Sequence, residues 1–124
     1  MSNPNIVAVT TINGVTTYLT PSNTTANVLL SNGAGSNKVL KINQIVAANV
    51  TGASAVNTTI AVNSAAAGGG TAYPIVSTVS VPANASIIAV DKTTAIYLME
   101  NQSIVVTSGT SSGLAYTISY EDIS

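Results

Sequence analysis

Apolar residues recur at every second position along much of this chain, and that period constrains the fold more than any other feature. Across residues 40–50 the even positions are Leu40, Ile42, Gln44, Val46, Ala48 and Val50, while the odd positions include Lys41, Asn43 and Asn49. Val56, Thr58, Ile60 and Val62 alternate with Asn57, Thr59 and Ala61; Leu114, Tyr116, Ile118 and Tyr120 alternate with Ala115, Thr117 and Ser119. Successive side chains of a strand point to opposite faces, so these segments predict strands with one face on a core. The even face of 40–50 is expected to be the buried one, which puts Val46 in the core. No helical period of useful length and no internal repeat is present.

Further strands are expected at 6–12, 15–20, 27–31, 72–81, 86–90, 95–99 and 103–108, most of them rich in the Val, Ile, Thr and Tyr that suit a pleated surface. Asn13-Gly14 is a two-residue hairpin signal between Ile12 and Val15. Segments 31–37, 51–54, 82–84, 91–94, 100–102 and 109–113 carry turn residues and read as loops. Pro74 removes a ladder donor, so its strand belongs at a sheet edge or a bulge. The 124 residues make one domain, 1–124, since half that length would not build a workable core. The expected fold is all-β, an antiparallel β-sandwich of jelly-roll type, with an immunoglobulin-like sandwich as the alternative. Residues 1–26 are expected to be an N-terminal strand or arm engaged in assembly contacts.

Composition excludes much chemistry. With no Cys there are no disulfides, zinc–thiolate sites or thiol nucleophiles, and with no His there is no imidazole base. Charged residues are only 6% of the chain, against about 25% in ordinary domains. Three lysines (Lys38, Lys41 and Lys92) provide no basic stripe, so no nucleic-acid partner is expected. No apolar run approaches a membrane span, and the opening residues lack the pattern of a signal peptide, so neither membrane nor export is expected.

The candidate chemical groups read as structural. Asp91, Glu100, Glu121 and Asp122 could pair as glycosidase carboxylates in principle, but their positions suggest solvated turn charges. No Asp-rich loop offers calcium ligands, so no catalytic, cofactor or metal residue is expected. The segment Ala65, Ala66, Ala67, Gly68, Gly69, Gly70 lacks the Gly-Lys-Ser/Thr of a phosphate loop and leads into a strand. Its small side chains would let it lie flat against a neighbouring subunit, and together with Tyr73 it is the expected protein interface. Tyr116 and Tyr120 share a face with Ile118 and are expected to pack at the core edge with bonded hydroxyls. Five Asn-x-Ser/Thr sequons, at Asn23, Asn49, Asn57, Asn84 and Asn101, follow from a composition rich in those residues.

The seven charges are unevenly spread: residues 1–37, 42–90 and 101–120 carry none. Monomeric sheet proteins blunt their edges with Lys, Pro or inward charges, because an open edge recruits other chains. A nearly uncharged surface favours association, so much of it is expected to be covered by copies of this chain or by other partners.

Four segments carry a resemblance: Lys38-Val-Leu-Lys-Ile-Asn-Gln-Ile-Val-Ala-Ala-Asn-Val-Thr-Gly52, Ser80-Val-Pro-Ala-Asn-Ala-Ser86, Asp91-Lys92 with Ile96-Tyr-Leu-Met-Glu-Asn-Gln-Ser-Ile104, and Ser119-Tyr-Glu-Asp-Ile-Ser124. Together, over most of the chain from about residue 27, they resemble small virion-associated proteins of tailed bacteriophages of marine and cyanobacterial type. Asn101-Gln102 departs from the Gly-Asp often found there in that group. The resemblance implies a non-enzymatic β-sandwich protein of the phage particle, assembled in the bacterial cytoplasm. The leading expectation is a capsid decoration or cement subunit, a homo-trimer that bridges major capsid proteins. A tail, neck or fibre component is the alternative. A carbohydrate-binding module using Tyr73 or Tyr97 is a third reading from another class.

Overall fold

The alternating segments pair as one long hairpin rolled on itself. In the computed structural model, which describes residues 4–124, the strands are β1 (Ile12–Leu19), β2 (Asn27–Asn32), β3 (Val39–Asn49), β4 (Val56–Asn63), β5 (Ala72–Val81), β6 (Ser86–Val90), β7 (Ile96–Leu98), β8 (Gln102–Ser108) and β9 (Leu114–Ile123). Strand β1 pairs with β9, β2 with β8, β3 with β6 and β7, and β4 with β5, all antiparallel. Rolling the hairpin adds the pairs β3–β9 and β4–β8. The result is one sheet in the order β1-β9-β3-β6, with β7 also on β3, facing a second in the order β2-β8-β4-β5. This is the jelly roll. The immunoglobulin-like alternative does not hold, because β1 and β2 lie in different sheets instead of forming a hairpin.

The core between the sheets is built from branched aliphatics, with Ile42, Ile45, Ile60, Ile104, Leu114 and Ile118 fully buried. Burying each such side chain is worth about 1.5–3 kcal/mol. Tyr116 is the one aromatic among the fully buried residues. Its hydroxyl donates to the Thr107 carbonyl at 3.0 Å, so at 2.6 Å it accepts from the Thr58 hydroxyl. Burial raises the Tyr116 pKa, with the Thr58 bond opposing the rise. Tyr120 packs half-buried against the same core, as the shared face predicts.

Three expectations are corrected. Residues 6–11 form no strand: the Thr10 and Thr11 amides are taken by the Ser124 carbonyl, and Ile6 and Val7 are exposed. Asn13-Gly14 makes no hairpin turn but lies inside β1, opposite Asp122 and Glu121. A hairpin there would need 6–12 as its partner, whereas β9 offers an unbroken eight-residue ladder. Of the 1–26 stretch expected as a strand or arm, residues 1–3 lie outside the described residues and 12–19 are built into the first sheet.

The third correction concerns β3. Its pairing with β9 shifts between Ile42 and Gln44, leaving Asn43 as an extra residue, a β-bulge. One inserted residue exchanges the two faces. Leu40 and Ile42 point into the core from even positions; beyond the bulge the buried residues are Ile45, Ala47 and Asn49. Val46 is therefore half-buried on the outer face, Gln44 is exposed, and Val50 is 56% exposed.

Candidate functional site

The expected interface loop joins β4 to β5 at the tip of the rolled hairpin. Asn63, at the end of β4, organises it. Its Oδ1 accepts from the Ala65 and Gly70 amides at 3.0 and 2.9 Å, and its Nδ2 donates to the Gly68 carbonyl at 3.1 Å. Ser31 and Ser103 reach across from β2 and β8 to the Ala66 and Ala65 carbonyls, both at 2.7 Å. The small residues are needed for this fold-back. A Cβ on Gly68, whose φ is +79°, would press on Val28 and Val105, and one on Gly70 would meet Ser64 Oγ and the Ala65 amide. One side of Ala65–Gly70 thus lies against its own sheet, while Ala67, Gly69 and Gly70 face solvent. Tyr73 is 63% exposed on β5. Gly70→Ala is expected to lower the melting temperature by several degrees, and Gly69→Ala, with open space around it, to leave it unchanged. Thermal melts followed by circular dichroism check the pair.

The four sheet edges differ in how they are blunted. Strand β5 carries Pro74, a left-handed Thr78 at φ +51°, and two register shifts against β4. Strand β2 is short, and the β6–β7 edge is broken by a 3-10 turn at Lys92–Thr94. Only β1 among them is long and regular, with eight residues in unshifted register and no charge or proline. Tyr18, 79% exposed, begins a row across the outer face of that sheet, through Thr117 and Val46 to the exposed Ile88.

A pocket of about 410 Å³ opens where two interruptions meet, lined by Asn43, Gln44, Asp91, Lys92 and Ser119. Val90 pairs with Ile45 and Ile96 with Ile42, so five residues on one strand span what two span on β3. The extra residues form the 3-10 turn, capped by Asp91 through the Thr93 amide at 2.9 Å. Bonds from the Thr93 hydroxyl and amide lower the Asp91 pKa, so this carboxylate is ionised at neutral pH. Across the bulge, Asn43 Nδ2 donates to Glu121 Oε2 at 2.9 Å. The Asn43 Oδ1 is buried and has no hydrogen-bond partner among the described residues.

Two of the carboxylates read as isolated turn charges, Asp91 and Glu121, are thus brought to the two sides of Asn43. Glu121 lies within β9, and Asp122 beside it forms an exposed ion pair with Lys38 at 3.2 Å. Glu100 Oε2 accepts from the Asn37 amide at 3.1 Å. Tyr97 is not near Tyr73: it borders a shallow apolar groove with Pro4, Ile6, Val39 and Met99. The pocket residues gave no sequence signal, because the bulge that gathers them falls inside an apparently regular alternation. No family model and no curated protein matches this chain.

Proposed function

We propose that this chain is a non-enzymatic structural subunit of a bacteriophage particle, specifically a capsid decoration or cement protein. The observation that carries the reading is the unblunted β1 edge, continuous with the exposed row that starts at Tyr18. A regular, uncharged edge offers its free main-chain groups to another chain, and copies of a nearly neutral subunit do not repel one another. The phage partner comes from the resemblance over residues 38–52, 80–86, 91–104 and 119–124. In this role the subunit is a homo-trimer bound to the major capsid protein in the virion, with Ala65–Gly70 and Tyr73 as a further contact. It stabilises the shell by mass action, about 2.7 kcal/mol for each site at a hundredfold excess over Kd.

Tyr18→Lys puts a gatekeeper charge on an exposed position, so its melting temperature should stay within about 2 °C of the parent. Its incorporation into particles should fall at least about tenfold, equivalent to 1.4 kcal/mol of contact energy. Particle reconstruction with the subunit placed is the direct test. Copies on the shell lattice support the proposal, and copies confined to the tail overturn it.

A further inference from the structure

We propose that the pocket at the β3 bulge binds a neutral, hydroxyl-rich small molecule, a monosaccharide or the terminal residue of a glycan. The inference is independent of the assembly role. Its volume, about 410 Å³, falls within the range of small-molecule sites, roughly 300–1,000 Å³. Its lining divides about evenly between polar and apolar surface, contributed by the paired strands β3 and β9 and by the turn that follows β6. A ligand here must therefore satisfy polar groups and also lay apolar surface against the rest of the lining, as a sugar ring does.

The arrangement selects among polar ligands. Asp91 is an ionised acceptor, and Asn43 Oδ1, which has no partner among the described residues and is covered as it stands, becomes a second acceptor once the amide turns towards the pocket. Both call for a ligand that donates. Lys92, Gln44 and Ser119, also in the lining, carry groups able to donate. Hydroxyl groups donate and accept at once, so adjacent hydroxyls on a sugar ring can serve both sets. An anion would face Asp91, and a simple cation would face Lys92, so a neutral ligand fits the balance better than either. The Asn43 side chain is held at its Nδ2 end by Glu121 at 2.9 Å. Ser119 is likewise held, by the Thr16 hydroxyl at 2.9 Å.

The test is a titration of the full-length 15N-labelled chain with glucose, galactose, mannose and N-acetylglucosamine, followed by amide chemical shifts. At least one sugar should bind with a Kd of about 1–20 mM, a range ordinary for an open site. The shifts should centre on Asn43, Gln44, Asp91, Lys92 and Ser119. Asn43→Ala should weaken binding about tenfold. Lys92→Ala, at an exposed position whose loss leaves the fold intact, should weaken it as well. Absence of shifts at about 100 mM of every sugar, shifts elsewhere on the surface, or equal shifts with glycerol would each overturn the proposal.

Discussion

Ile45→Asp is expected to abolish folding, while Val46→Asp, one residue along, yields a folded protein. Ile45 has no exposed surface and sits between the sheets, so an aspartate there is an unpaired charge in an apolar core. That cost, several kcal/mol for an uncompensated buried ion, is comparable to the roughly 5–15 kcal/mol that holds a domain of this size. Val46 lies on the outer face opposite Thr117 and Ile88, where a carboxylate reaches water. Its replacement should cost about 1 kcal/mol, mainly through lost strand propensity. Soluble expression and cooperative melting separate the two variants. The opposite ranking would mean that the bulge at Asn43 is absent and the unbroken alternation holds.

Asn49→Ala is expected to destabilise the subunit by about 2–4 kcal/mol, lowering the melting temperature by roughly 10–15 °C. Asn49 is 4% exposed and uses both ends of its amide. Nδ2 donates to the Val81 and Ser54 carbonyls at 2.8 and 2.9 Å, and Oδ1 accepts from the Thr51 amide at 2.8 Å. The Thr51 hydroxyl still reaches the Ser54 carbonyl at 2.7 Å after truncation, so the Val81 carbonyl and the Thr51 amide are the groups left unpaired. Asn57→Ala, at an exposed position of β4 in the other sheet, is the control and should stay within about 0.5 kcal/mol. Denaturant midpoints with unchanged slopes would confirm a stability effect. Equal midpoints for the two variants would show that the buried amide contributes nothing.

Asn49 is one of three asparagines doing the same work at strand ends. Asn32 bridges the Lys38 and Leu98 carbonyls at 2.9 and 3.0 Å, and Asn63 holds the hairpin tip. In sequence these residues are indistinguishable from the exposed Asn57 or Asn23. A side chain that substitutes for main-chain partners is recognisable only once the loops it satisfies are in place. The same fact changes the reading of the Asn49 sequon, whose amide is buried and bonded on both sides.

Much of the strand plan was legible. The segments 72–81 and 86–90 match β5 and β6 end to end, and Pro74 does lie on an edge strand. The alternation of β9 places Leu114, Tyr116 and Ile118 in the core as read. The β9 faces were legible because a single two-residue period runs through that strand without an insertion. Strands β5 and β6 carry extra residues against their partners, and only their bounds were legible, from the turn residues that flank them. Where the period is interrupted, as at Asn43, the residues on either side stay apolar and conceal the shift. At Asn13-Gly14 a strong local turn signal yields to a longer ladder with β9, whose hydrogen bonds come from the other end of the chain.

The sequence by itself determined that this chain makes a β-sandwich: its side chains alternate, and its Val, Ile and Thr favour a pleated surface. It also determined the shortage of charge. Tertiary structure decided which faces are buried, which edge is left open and which polar groups converge. Each of these depends on register and on strand order. Both are set by pairing between residues far apart in the chain, which no local pattern encodes.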